Sequence, residues 1–421
     1  MFTVFRDATP DTWLLLSTRF VRLFAYGALS VVLVFYLIAV GLTEAQAGVL
    51  LTLTLLGDTV VSLAITTRAD RTGRKRMLVA GALLMTAAGL VLASTTDFWL
   101  LLLAATIGVI SPSGHEVGPF LPIEQAALAG SVPDRSRTDV YAWYTLAGAV
   151  ATALGALAAG LITASFERTS APPVSAYRSV VVLYAVLGLM LAFAFSRLSG
   201  GSEMTAARRE GARARETLRD FSGVPQSGPI VLKLSALFAL DAFGGGFVAQ
   251  SFAAYWFHLR FGIEPAKLGP IFFAANVLAG LSALLASRMA ARFGLIRTMV
   301  WTHLPSNVLL ILVPLMPTLP LAVAVLLVRF SISQMDVPTR QSYVMAVVPP
   351  EERAAAGGVT GVARTLGAAM SPLFVGLMFS TPSTISVPFF IAGTLKIAYD
   401  LLLYRQFAKV RPPEEVSPLR A

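Results

Sequence analysis

Not one of the 421 residues is a cysteine, which excludes disulfide bridges, thiolate metal sites and thiol nucleophiles. Histidine is almost as scarce. His115, His258 and His303 stand in separate segments, at no spacing that holds a metal ion. Charged residues make up 13% of the chain, about half of what a soluble domain of this length carries. With 56% hydrophobic side chains and a mean hydropathy of +0.73, an ordinary aqueous enzyme and an intrinsically disordered chain are both excluded. What the sequence has in their place is long apolar runs.

One helical bilayer crossing takes about 20 mostly apolar residues, so the apolar content admits about a dozen. Runs bounded by charged, proline or glycine residues place six at 13–40, 46–67, 77–93, 98–129, 139–164 and 179–196. Six more fall at 230–257, 268–287, 298–316, 319–347, 356–379 and 385–404. The sequence thus predicts an all-α integral membrane protein of twelve transmembrane helices. Between the sixes lies the polar stretch Arg197–Pro229, with Arg208, Arg209, Arg213, Arg215 and Arg219. The expected organisation is a bundle over 1–196, a linker over 197–229 and a second bundle over 230–421. Met1–Pro10 contains Arg6 and Asp7 and no short apolar run, so no cleavable leader is expected.

Loops after even-numbered spans, together with the two ends, hold 22 of the 33 Lys and Arg residues. Loops after odd-numbered spans hold only Arg168, Arg178, Arg260 and Lys267. By the positive-inside rule both ends and the linker are expected in the cytoplasm, in a plasma (inner) membrane. The same asymmetry accounts for the net charge of +10 without a nucleic-acid partner.

The two halves echo each other. At an offset of 216 residues, Pro122-Ile123-Glu124-Gln125 falls on Pro338-Thr339-Arg340-Gln341, Val132-Pro133 on Val348-Pro349 and Arg137 on Arg353. At 221 residues, Asp70-Arg71-Thr72-Gly73 falls on Ala291-Arg292-Phe293-Gly294. Two six-helix repeats are a transporter signature, with substrate handled near the midplane.

With these features in view, the chain resembles the major facilitator superfamily over essentially its whole length. That family carries a Gly-x-x-x-Asp-Arg-x-Gly-Arg-Arg/Lys loop between its second and third helices. Here the loop matches at Asp70, Arg71, Gly73, Arg74 and Lys75, with Thr66 in place of the first glycine. Asp70 stands beside five cations, too many to be explained as its partners, and a carboxylate there can accept free amides at a helix N-terminus. The resemblance implies that Asp70, Arg71, Gly73 and Arg74 form a conformational latch against the eleventh helix, near 354–358. It also implies the family's two-bundle fold and alternating access.

Ionisable groups inside spans are costly and by default mark function. Arg19 and Arg22 lie on the first span, in one stripe with Tyr26; Glu116 and Glu124 lie on the fourth, Asp241 on the seventh, Asp336 and Arg340 on the tenth and Arg364 on the eleventh. In the resembling family the first, fourth, seventh and tenth helices line the cavity. The repeat register suggests a pair between Glu124 and Arg340, and Asp241 and Asp336 are expected on opposite cavity walls. Three prolines and two glycines between Ser111 and Pro122 predict a broken fourth helix, whose free carbonyls and His115-Glu116 pair are candidates for binding substrate or a coupling ion. Asp241 precedes Gly244-Gly245-Gly246, a candidate hinge.

The expected function is secondary transport of a small organic molecule, as proton-coupled export, with Asp336 as the proton carrier. Uptake of an organic anion or zwitterion clamped by Arg19, Arg22 and Arg340 is one alternative, and lipid scrambling is another. No nucleophile–base set or phosphate loop points to an enzyme. No cofactor is expected beyond a proton gradient, and the expected partners are the substrate and the bilayer around a functional monomer.

Overall fold

The computed structural model describes residues 9–131, 134–169, 171–199, 226–349, 352–408 and 410. Side chains are described for the same residues apart from 67–71, 126, 129–131, 134–139, 141, 142 and 354. Among the described residues every regular element is helical. The first half contains α1 (Pro10–Ala39), α2 (Glu44–Thr72), α3 (Arg74–Ser94), α4 (Phe98–Ile107), α5 (Phe120–Ser131), α6 (Asp134–Glu167) and α7 (Pro173–Ser196). The second contains α8 (Gly228–Gly246), α9 (Gln250–Phe261), α10 (Pro265–Phe293), α11 (Leu295–Leu312), α12 (Leu319–Ser333), α13 (Asp336–Val347), α14 (Arg353–Phe379) and α15 (Val387–Phe407).

Eleven helical stretches are long and apolar enough to cross a membrane, and the apolar α4 with α5 carries the remaining span, so the expected twelve are accounted for. Large apolar side chains such as Trp99, Leu161, Phe193, Leu232 and Trp301 are exposed, as lipid-facing surfaces require. Local chemistry sets several helix ends. Thr9 caps α1 by accepting the Thr12 amide at 3.3 Å, and Pro10 occupies its first position, where a missing N–H costs nothing. Asp97 caps α4 through the Leu100 amide at 3.0 Å.

The motif expected in a loop after the second span differs in the structure. Helix α2 runs on through Thr72, so Asp70 and Arg71 belong to its last turn; their side chains lie outside the described residues. The chain breaks only at Gly73, with φ at 110°, and restarts as α3. Its repeat counterpart, Gly294, has φ at 85° and separates α10 from α11 in the same way. Positive φ strains any residue with a Cβ, so the echo in sequence is also an echo in backbone geometry. Beyond the break, Lys75 donates to the Leu198 carbonyl at 3.0 Å, just past the end of α7.

Packing divides the chain into two compact units, Met1–Thr217 with Ala249–Phe273, and Leu218–Val248 with Ala274–Ala421. In the first, α1 is the central helix, against α6, α7 and α9. Gly155 makes the α1–α6 approach possible: a Cβ there would lie 2.0 Å from the Phe24 carbonyl oxygen. Helix α9 joins this unit through Gln250, which donates to Ser30 Oγ at 2.8 Å, and Tyr255, which donates to Glu44 at 3.1 Å. In the second unit α8 packs on α14 and α15, and a Cβ at Gly367 would meet the Ala239 carbonyl at 2.3 Å. The core there is built from Leu234 and Phe238 of α8 with Met299, Tyr343, Tyr399 and Leu403.

Candidate functional site

Each unit holds a buried charge network at the level of its broken helices. In the first unit, Arg19 and Arg22 project from one face of α1 onto the fourth span. Arg19 Nη1 donates to Glu116 at 2.8 Å, and Arg22 Nε reaches the other oxygen of the same carboxylate at 3.0 Å. Arg22 also forks onto Glu124 through two bonds of 2.6 and 2.8 Å. Glu124 is fully buried and accepts further bonds from Thr18 at 3.3 Å and from the Tyr144 hydroxyl. The Arg19 guanidinium lies 4.0 Å over the Tyr144 ring, with room left by Gly148, and Arg22 lies 4.6 Å over Phe120. Tyr26, expected in the same stripe, is wholly buried beside Tyr184, and its hydroxyl has no hydrogen-bond partner.

The fourth span is broken as expected, and the segment 108–119 between α4 and α5 carries Glu116. Gly114 and Gly118 turn it with φ of 73° and 82°. Its freed carbonyls have protein donors: Val109 accepts the Tyr184 hydroxyl, Pro112 the Ser251 amide at 3.1 Å, Gly114 the Thr152 hydroxyl at 3.3 Å and His115 the Ser111 hydroxyl at 2.7 Å. The break is therefore a satisfied polar joint rather than a bare set of ion ligands. His115 itself is exposed. At its end, Gly118 donates its amide to Asp58 of α2 at 3.1 Å.

In the second unit, Asp241 of α8 is the centre. It accepts Arg340 of α13 at 2.8 Å and Lys396 of α15 at 2.6 Å, with His303 of α11 at 3.9 Å. Arg340 also pairs with Asp336 one turn back, at 3.3 Å. His303 Nδ1 lies 2.9 Å from Asp400, whose other oxygen accepts Asn307 at 2.9 Å. Arg364 of α14 stands within electrostatic reach of Arg340, Asp241 and Asp336. The glycine run after Asp241 ends α8 at Gly246, and the chain restarts at Gln250, so the expected hinge is a real break.

Two expectations from sequence are corrected. Glu124 and Arg340 do not need each other: each is satisfied by an opposite charge within its own unit. Asp241 and Asp336 do not face each other across a cavity either; both hold the same Arg340 nitrogen. The reason is register. Glu124 and Arg340 are repeat counterparts at an offset of 216, and Arg22 and Asp241 are counterparts at 219, so the same helix–helix contact is made twice with the charges exchanged.

Lys396, Asp400, His303, Asn307, Tyr144 and Asp58 are not among the site residues expected from sequence. Lys396 and Asp400, an i, i+4 charged pair inside the last span, were detectable by the rule that singled out the others. Asn307 and Tyr144 carry no such signal.

A pair of helical units with breaks at mid-span and charges sealed inside apolar walls defines a polytopic membrane carrier rather than a structural anchor. The sequence profile of the Major Facilitator Superfamily matches residues 15–372 and again 236–420. An uncharacterized membrane protein, YJR124C, of Saccharomyces cerevisiae is 31% identical over 435 residues, covering 97% of each chain. A Na(+), Li(+), K(+)/H(+) antiporter of Planococcus maritimus is 29% identical over 125 residues, 30% of this chain and 28% of that one. Among solved structures, a D-xylose-proton symporter superposes with a TM-score of 0.73 at 16% identity, covering 97% of this chain and 99% of the other. The chain belongs to the Major Facilitator Superfamily, and is thereby a membrane transporter of small molecules.

Proposed function

We propose that this protein is a proton-coupled exporter of a small organic molecule, working by alternating access, with both ends and the linker in the cytoplasm of the plasma (inner) membrane. The observation that carries the reading is the charge-exchanged pair, Arg22–Glu124 in one unit and Asp241–Arg340 in the other. Paired buried charges are expensive to separate and so make natural switch elements: each pair opens only when a proton or a substrate replaces one partner. Tyr26, His115, Glu116 and Arg364 join Arg19 and the pairs as the groups along the pathway. Asp70, Arg71, Gly73 and Arg74 act as a cytoplasmic latch, so Asp70→Asn is expected to lower transport with expression unchanged.

The partial likeness to a cation/proton antiporter supports exchange over uptake. The arginine clamps required by an anion-uptake reading are already engaged: Arg19, Arg22 and Arg340 all hold carboxylates. The test is a ligand panel screened by thermal shift on the purified protein, followed by flux of the hits in proteoliposomes with an imposed pH gradient. Export predicts that substrate moves against an opposing proton flow. Flux that ignores the gradient would refute the coupling, and substrate and proton moving together would refute the direction.

A further inference from the structure

We propose that Asp58 of α2 is the group that takes up and releases the coupled proton, an assignment that rests on the proton-coupled reading above. Glu116, Glu124, Asp241, Asp336 and Asp400 each lie within 3.3 Å of a basic side chain. Asp58 has none among the described residues. It is 2% exposed; one oxygen accepts only the Gly118 amide, and the other has no partner at all. It lies about 21 Å along α2, near the middle of the span. Gly57 beside it lets α4 close to backbone contact at Thr106, sealing the carboxyl from solvent on that side.

A carboxylate buried without a cation is costly, whereas the neutral acid needs only a place for its proton. Oδ1 is that place. The expected carrier, Asp336, is less suited, because it already has a basic partner, Arg340, at 3.3 Å.

The surroundings make the proton consequential. The titratable groups within electrostatic reach are Glu116 of the broken segment, Tyr26 of α1 and Tyr184 of α7. Helix α4 contributes none, and the single one of α5, Glu124, is bound to Arg22. Arg74, Lys75 and Arg76 belong to the first turn of α3, beyond the end of α2 and about 21 Å along it from Asp58. Ionising Asp58 turns its bond with the Gly118 amide into a charge-assisted one and sets a second negative charge near Glu116, two residues before Gly118. Proton loading at Asp58 therefore acts on the joint that positions Glu116 against Arg19 and Arg22.

The experiment needs no substrate. The full-length protein is treated with dicyclohexylcarbodiimide, an apolar reagent that modifies protonated carboxyls, from about pH 5 to about pH 9, and adducts are located by peptide mass spectrometry. The expected result is an Asp58 adduct that falls several-fold toward the alkaline end, equally in potassium, sodium and lithium buffers. It should be absent in Asp58→Asn, where Asn retains the acceptor for Gly118, and present in Asp336→Asn. No adduct at Asp58, or one constant across pH, would overturn the assignment. Protection by Na+ or Li+ at fixed pH would overturn it in favour of a metal-cation site. With a substrate from the ligand panel, Asp58→Asn should lower gradient-driven accumulation at least tenfold. Gradient-driven flux intact in that variant overturns Asp58 alone; no proton-driven flux in the wild type overturns the reading on which it rests.

Discussion

Arg340 holds two acids at once, so its removal breaks two buried ion pairs in the second unit. Arg340→Ala leaves Asp336 with no cation within ion-pair distance among the described residues, and Asp241 with Lys396 as its nearest partner. Breaking a buried pair from one side costs about 3–5 kcal/mol. The expected outcome is a clear fall in the thermal midpoint of the purified protein, with Arg340→Lys restoring only part of it, because the lysine ammonium ends short of the guanidinium nitrogen that both acids hold. An unchanged midpoint would mean that the network is open to water. In the first unit the corresponding probe is subtler. Gly148→Ala places a Cβ 2.8 Å from Arg19 Nε, at the movable end of the side chain, so the fold should survive while the Arg19–Glu116 bond is displaced. Transport should fall with little change in stability, and a large loss of stability would count against that account.

Among the elements, the closest approaches are made where glycine faces a backbone carbonyl. At Gly155 the obstacle to a Cβ is the Phe24 carbonyl itself, which has no rotamer to change. Gly155→Ala should therefore cost about 1–3 kcal/mol by overpacking the α1–α6 contact, read as a lower thermal midpoint. A second joint links the beginnings of α8 and α14. Glu352 accepts the Gln226 amide at 2.8 Å, the Ser227 amide at 3.0 Å and the Ser227 hydroxyl. The Ser227 hydroxyl bond, with the two amides, holds this carboxyl below the usual carboxylate range. A depressed folded value means stability that is present above the unfolded carboxylate range and lost as pH falls through the folded value. Melting curves of wild type and Glu352→Gln should thus converge as the buffer is acidified below about pH 4; curves separated by a constant gap would show that the clasp does not titrate.

For the whole molecule, the sharpest test exploits the absence of cysteine. A cysteine introduced at position 209, within the polar stretch between the halves, should resist impermeant thiol reagents in sealed cells and react after permeabilisation. External labelling there would refute the proposed topology. The twelve spans were legible because hydropathy is a local free energy of transfer that sums along the chain. The broken fourth helix was legible for a similar reason: Pro112, Pro119 and Pro122 cannot sit in one straight helix. The repeat was readable as well, in the match of Gly73 to Gly294, to which the structure adds a shared positive φ. Which charge meets which was not. Arg22 and Glu124 are 102 residues apart, Arg340 and Asp241 99, Lys396 and Asp241 155, and such pairs are decided by helix rotation and register within a few ångströms. An ion pair exists or fails over that distance, and hydropathy is indifferent to it. The sequence by itself determined a twelve-span, two-repeat membrane protein with charges in its interior. Only the tertiary structure decided that those charges close into pairs inside each unit and that Asp58, near the middle of its span, is left with a single backbone amide.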